Sequence, residues 1–251
     1  MVITSRSNDQ YKKIKKLLSS SKARNGAGLF AAEGERLVKE APAELVELVC
    51  VSESYAKERK DLPSALVFSD ELFRSLSDTV NPQGIMALVK QPGYSLDEII
   101  EKNKNKALYL ILDDISDPGN LGTMIRTAEA AGVSGVILSS GCADIFNPKV
   151  IRSTMGSIFR VPFVREDLPG AIGQLKKAGT DVYAASLDAD RYYNEPDYKE
   201  KTAFIIGNEA RGVSKEAAEC AKEKIKIPMA GEVESLNAAI SAAVILYGMK
   251  K

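Results

Sequence analysis

The chain is 251 residues long, 45% hydrophobic and 27% charged, with 34 basic residues balanced by 34 acidic ones and no histidine. That length holds one large domain or two ordinary ones and buries a proper core, and the composition excludes a disordered chain. The lack of histidine excludes His-based triads and His-containing zinc sites, so any acid–base chemistry must use carboxylate, Lys, Tyr, Cys or an unusual arginine.

Cys50, Cys142 and Cys220 are isolated, with no Cys-x-x-Cys, so neither a disulfide framework nor a metal site is expected. No apolar stretch reaches the roughly 18 residues of a membrane span, and the first residues lack the apolar core of a secretory signal. A cytoplasmic protein with no membrane and no metal partner is the expectation.

Residues 1–24 carry Arg6, Lys12, Lys13, Lys15, Lys16, Lys22 and Arg24 against Asp9 alone, a local net charge of +6 in a neutral chain. The spacing of Tyr11, Ile14, Leu17 and Leu18 predicts an amphipathic helix over 10–19 with lysines opposite the apolar face. This is either a solvated basic helix or a phosphate-binding footprint, with Arg6, Lys12, Lys13, Lys15 and Lys16 as the candidate phosphate contacts. A strand and helix over 29–41, strands at 45–51 and 66–68, a Ser-capped helix over 69–76 and a strand at 84–89 follow. Together they predict a small α/β domain over residues 1–92. Gln91-Pro92-Gly93 breaks the pattern, and a linker is placed at 93–105, with a short helix near 95–100.

Over 106–251 strands alternate with helices. Strands are expected at 108–112, 136–139, 159–164, 182–185, 203–206 and 225–227. Helices are expected at 121–131, 148–153, 168–178, 215–221 and 236–249. That alternation predicts a mostly parallel sheet covered by helices, with ligands beyond the carboxyl ends of its strands.

Three segments there carry candidate chemistry. In DDISDPGNLGTMIR (113–126), Asn120 is placed to cap the next helix and Arg126 lies within it, where a guanidinium would grip phosphate. In NPKVIRSTMGSIFRVP (147–162), Arg152, Ser153, Thr154, Gly156 and Ser157 cluster at a helix end. The third segment joins AFIIGNEARG (203–212) to IKIPMAGEVESLN (225–237), two glycine-bearing loops at strand ends followed by Ser235 as a helix cap. These loops could clasp a small ligand through backbone groups. Neither G-x-x-x-x-G-K-[ST] nor a strand-following G-x-G-x-x-G occurs, so there is no fingerprint of a P-loop or dinucleotide site.

In this order, NLGTMIRTAEAAG, NPKVIRSTMGSIFRVP and IIGNEARG…IPMAGEVESLN resemble the three motifs of the SpoU (TrmH-like) RNA 2′-O-ribose methyltransferases of the SPOUT superfamily. LFAAEGERLVKEA and NPQGIMALV resemble the substrate-binding domain that precedes such catalytic domains. The resemblance implies a SPOUT domain whose C-terminal segment threads a deep trefoil knot, behind a small L30e-like RNA-binding domain. It also implies a homodimer, S-adenosyl-L-methionine as cofactor, and transfer of its methyl group to a ribose 2′-hydroxyl, with 23S ribosomal RNA the expected substrate. By position it assigns Asn120, Arg126, Glu209, Ser235 and Asn237 to the catalytic site, and Gly207, Ile227 and Leu236 to the cofactor. The family's usual Asn-Glu-Gly stands here as Asn208-Glu209-Ala210, and a loop that needed positive φ at Ala210 would be reshaped. Alternatives are a tRNA 2′-O-methyltransferase, a methylation conferring antibiotic resistance, and a non-catalytic RNA-binding or ribosome-assembly factor on the same fold. A nucleotide-dependent metabolic enzyme is disfavoured by the missing phosphate loops.

Overall fold

The computed structural model describes residues 2–59 and 64–249. In chain order the elements are β1 (Val2–Ile3), α1 (Asp9–Ser19), α2 (Ser21–Ala27), β2 (Leu29–Glu33), α3 (Glu35–Glu40) and β3 (Val46–Ser52). Next come α4 (Glu53–Glu58), β4 (Ala65–Phe68), α5 (Asp70–Leu76), β5 (Ile85–Lys90), α6 (Leu96–Lys102), β6 (Ala107–Leu112), α7 (Pro118–Ala131) and β7 (Gly135–Leu138). The remainder is α8 (Pro148–Thr154), β8 (Phe163–Arg165), α9 (Leu168–Lys177), β9 (Asp181–Ala185) and β10 (Arg191–Tyr192). It closes with β11 (Lys201–Ile206), α10 (Lys215–Cys220), β12 (Glu223–Lys226) and α11 (Ala238–Gly248). Two compact units result. One holds the chain up to Pro92 together with Asp144–Phe159, and the other holds Gly93–Ala143 and the chain from Arg160 onward.

The first unit is built on a five-stranded sheet in the order β1-β4-β3-β5-β2, with β5 antiparallel to both neighbours and the other pairs parallel. The predicted lysine helix is α1. Its Tyr11, Ile14 and Leu17 are buried with Phe68, Leu72, Phe73 and Leu76 on one sheet face, and Asn8 caps it through Gln10 N–H. On the other face Val49, Val51 and Ile85 pack with Val38 and Tyr55. The segment 144–159, which the sequence grouped with the catalytic half, belongs to this unit: the Phe146 ring lies 5.0 Å from that of Phe30 on β2. Arg24, counted above in the local positive charge, is buried and donates to Asp144 and to the Leu17 carbonyl.

The second unit carries a seven-stranded sheet in the order β10-β12-β9-β11-β6-β7-β8, every pair of it parallel. β6 is buried along its whole length, as expected of a strand covered on both faces. The 93–105 stretch folds as α6, begun by a capping box between Ser95 and Glu98, and it buries Leu96 and Ile99 in this unit's core. The expected strand at 159–164 is instead a 3-10 turn at Ser157–Phe159 and a short β8. Pro162 lacks the N–H a strand interior needs and sits just before β8. β11 enters between β6 and β9, and α11 then packs on α7 and β11.

Candidate active site

The carboxyl ends of β6, β9, β11 and β12 share one edge of the parallel sheet, and the loops leaving them build the site. Two predicted caps are replaced by neighbours. Asp117, not Asn120, caps α7: its Oδ1 accepts the Asn120 N–H at 2.8 Å, with Pro118 opening the helix. Asn237, not Ser235, caps α11, accepting from the N–H groups of Ala239 (2.9 Å) and Ile240 (3.3 Å). Both shifts free a side chain. Asn120, inside its helix, points its amide outward, and Ser235 stands exposed with no side-chain hydrogen bond among the described residues.

Glu209 is where these elements meet. Its Oε2 accepts from Ser116 N–H (3.2 Å) and Ser116 Oγ (2.9 Å), and its Oε1 from Asp117 N–H (3.2 Å) and Asn120 Nδ2 (2.9 Å). Asn120 Oδ1 in turn accepts from Asn237 Nδ2 at 3.0 Å. Partial burial acts to raise the Glu209 pKa, but the donors from Asn120, Ser116 and Asp117, with its own backbone N–H, prevail and hold it at about 2. Glu209 is therefore a fixed carboxylate at neutral pH, an anchor and not a proton carrier. Ser116 and Asp117 were not singled out in the sequence, because half of what they contribute is backbone N–H.

Glu209 sits on a tight turn, Asn208–Gly212, closed by Asn208 N–H to Gly212 O (3.0 Å) and Gly212 N–H to Asn208 O (2.9 Å). The left-handed position falls on Gly212 (φ 71°), while Ala210 is not at positive φ, so the departure from Asn-Glu-Gly leaves this turn unstrained. Gly207 is required for close approach: a Cβ there would lie 2.1 Å from the backbone of Gly212 and Val213.

Beside the turn lies a cavity of about 760 Å³, within the size range of small-molecule sites. Gly207, Glu209, Ile227, Ser235 and Leu236 all line it, together with Leu187 and Asp188 from the loop after β9, which the sequence reading missed. Their signal was positional: they follow a strand end in a parallel sheet. Apolar walls (Leu187, Ile206, Ile227, Leu236) alternate with exposed backbone and charged rims (Asp188, Lys224, Glu234). Among the described residues no cluster of His, Cys, Asp or Glu could hold a metal ion.

Arg126 is exposed on α7 and makes no side-chain hydrogen bond or ion pair among the described residues, so its guanidinium is available to a ligand. Arg152 is not: it pairs with Asp78 (3.0 Å) and faces the buried Glu33 within the first unit. In that unit Arg6, Lys13 and Lys16 are exposed without partners among the described residues. Lys12 lies 3.8 Å from Asp9, and Lys15 donates to the Ser75 carbonyl.

Residues 107–247 match the model of the SpoU rRNA Methylase family. The chain belongs to the SpoU family. Residues 8–87 match an MRM3-like substrate binding domain. Among SpoU relatives, the 23S rRNA (guanosine(2553)-2′-O)-methyltransferase RlmP of Bacillus subtilis strain 168 is 38% identical over 255 residues, covering 99% of this chain and 98% of that one. Two solved structures superpose on nearly the whole chain. The SpoU methyltransferase AviRb of Streptomyces viridochromogenes, in complex with the cofactor AdoMet, has a TM-score of 0.86 at 29% identity, covering 96% of this chain and 97% of that one. The AdoMet-bound rRNA methyltransferase of Sinorhizobium meliloti has a TM-score of 0.87 at 30% identity, covering 100% and 97%.

Proposed function

We propose that this protein is an S-adenosylmethionine-dependent RNA methyltransferase acting on a ribose 2′-hydroxyl of 23S ribosomal RNA. The observation that carries the reading is the Glu209–Asn120–Asn237 chain of hydrogen bonds, which starts from a residue lining the cavity, in a SpoU fold whose full-length relative is named for that reaction. That relative also favours ribosomal over transfer RNA.

The cavity fits the cofactor. Its volume suits a nucleoside with an amino-acid tail, its apolar walls suit a purine ring, and the backbone around Gly207, Ile227 and Leu236 would hold the cofactor through its polar groups. Held there, S-adenosylmethionine would supply a methyl group activated by a sulfonium sulfur, and this chain's own residues would have to place the ribose 2′-hydroxyl and let its proton pass to water. Arg126 is the residue assigned to that hydroxyl. A free guanidinium is a poor base, with a pKa above about 12, so its main work is to hold the adjacent 3′-phosphate with its planar fork and orient the 2′-oxygen. Glu209 fixes the first turn of α7, and Asn237 ties that turn to α11, so the helix bearing Arg126 is held from two sides. Ser235, on the cavity rim, is placed to meet the ribose.

The substrate-binding unit supplies RNA affinity through Arg6, Lys12, Lys13, Lys15 and Lys16 on and beside α1. The active species is a homodimer. α11 is apolar all round, and Ile240 and Tyr247, seven residues apart on one face, remain 50% exposed, a stripe suited to a second copy of the chain. The C-terminal segment forms the trefoil knot, supported by the central position of β11 and the return of α11 onto α7. No helix among the described residues is long and apolar enough to cross a membrane, and the protein works where ribosomes are assembled, in the cytoplasm.

The test is methyl transfer from labelled S-adenosylmethionine to ribosomal RNA and ribosomal subunits from a strain lacking the gene. A labelled 2′-O-methyl nucleotide in 23S RNA is expected. Label only in transfer RNA, or none at all despite cofactor binding, overturns the substrate or the reaction respectively.

A further inference from the structure

Asp114 follows the fully buried strand β6 and Asp113, and it adopts a left-handed backbone (φ 56°) that side chains other than Gly, Asn and Asp rarely take. Its surroundings hold it there. Ser139 Oγ accepts from the Asp114 N–H (2.9 Å) and donates to Asp114 Oδ1 (2.7 Å), closing a ring around the residue's own backbone. Gly141 leaves room for the carboxylate, since a Cβ at 141 would lie 2.1 Å from Asp114 Oδ1.

What this conformation achieves is the direction of one carbonyl. Asp114 O accepts from Asn208 Nδ2 at 2.8 Å. Asn208 Oδ1 meanwhile accepts from the N–H groups of Ala210 (3.0 Å) and Arg211 (3.1 Å), which shapes the turn that carries Glu209. Arg211 reaches back to Asp114 Oδ2 at 3.2 Å, but its side chain is 73% exposed and that of Asp114 38%, so the solvent-screened ion pair adds little. The turn hangs from the Asp114 carbonyl more than from its charge.

We propose that Asp114 is a positioning residue for methyl transfer, its left-handed backbone aiming a carbonyl at Asn208 so that Glu209 is presented to Ser116, Asp117 and Asn120. The proposal rests on the methyltransferase reading above and adds a residue that is not among those lining the cavity.

A variant series separates backbone direction from charge. Valine, β-branched, resists positive φ, whereas glycine accepts it and keeps the carbonyl. Asn208→Ser keeps an oxygen for the turn N–H groups but cannot reach Asp114 O. With cofactor saturating, Asp114→Val and Asn208→Ser should each lower kcat at least about tenfold, with KM for RNA changed less than about twofold, while Asp114→Gly rescues at least about a third of the rate. A valine variant as fast as the parent, or a glycine variant as slow as the valine one, overturns the proposal. Should Asp114→Val fail to fold, Asn208→Ser decides in the same way. If the parent enzyme methylates no RNA, the functional reading fails on its own, and carboxyl NMR of Glu209 still tests the positioning. A titration near pH 2 in the parent that climbs toward 4.5 in Asn208→Ser supports it, and an unmoved titration overturns it.

Discussion

The two sheets differ in one property that decides where chemistry can gather. In the second unit every strand pair is parallel, so the loops after β6, β9, β11 and β12 all leave the same edge; those after β9, β11 and β12 line one cavity, and the loop after β6 is tied to it through Glu209. In the first unit β5 runs against β2 and β3, so strand-end loops are divided between two edges. That unit instead offers a helix face, the lysine side of α1. A parallel sheet collects loops into a pocket for a small molecule, while a mixed sheet with an outer basic helix offers a surface for a polyanion. The proposed division between cofactor chemistry and RNA affinity rests on that difference.

The largest test of that division is Arg126→Lys. Lysine keeps the charge but not the planar fork, so kcat should fall by about 10²-fold or more while cofactor affinity measured by calorimetry stays within about twofold. Near-parental turnover would remove Arg126 from the reaction. Glu209→Gln comes next. A carboxamide turns an N–H₂ toward one pair of donors, so the first turn of α7 loosens, and kcat should drop about tenfold to a hundredfold with KM for RNA little changed. A loss confined to RNA binding would place Glu209 on the wrong side of the comparison.

Reversal of Lys12, Lys13 and Lys16 to Glu should act on the other unit alone. RNA affinity should fall and its salt dependence flatten, by roughly 0.7–0.9 in log–log slope for each phosphate no longer neutralised, with cofactor affinity untouched. An unchanged slope in a filter-binding series would show that α1 is only a solvated helix. Lys15 is left out of this set because its bond to the Ser75 carbonyl mixes stability with binding.

The smallest effect is a pH dependence. The Glu209 pKa is lowered on folding from an ordinary 4.5 to about 2, so its stabilising contribution is complete above pH 4.5 and lost as pH falls through 2. The stability difference between the parent and Glu209→Gln should therefore shrink from pH 4.5 downward in denaturant titrations. A difference that stays constant to pH 2 would mean that Glu209 is not held as described.

Much of this was legible beforehand because the second unit's central strands β6, β7 and β11 are nearly unbroken apolar runs followed by glycine- and Asx-bearing loops, and because three ordered motifs mark those loops; the short, exposed β10 carries no such signal. Caps were legible to within three residues only. Asp117 and Asn120, like Ser235 and Asn237, are rival cap residues near the start of one helix, and Pro118, which favours the first helical position, was the clue for the first pair. The strand expected at 159–164 ignored Pro162. The packing of 144–159 with Phe30 in the first unit joins residues more than a hundred positions apart in sequence, and short-range periodicity carries no such information. Asp114 was quoted within a motif and given no role, since its role is a carbonyl direction set by φ, which a residue letter does not spell.

The position of β11 bears on how the chain comes to exist at all. β6 and β9 each need β11 as neighbour, yet β11 lies about ninety residues after β6 ends. At roughly 5–20 residues per second of synthesis, β6 waits on the order of 5–20 s with one edge unpaired. An apolar parallel strand with an open edge is a template for misassociation, and such non-local pairings are slow to form. Newly made protein should therefore depend on shielding during those seconds far more than the finished molecule, with β6 paired on both sides, depends on anything to stay folded.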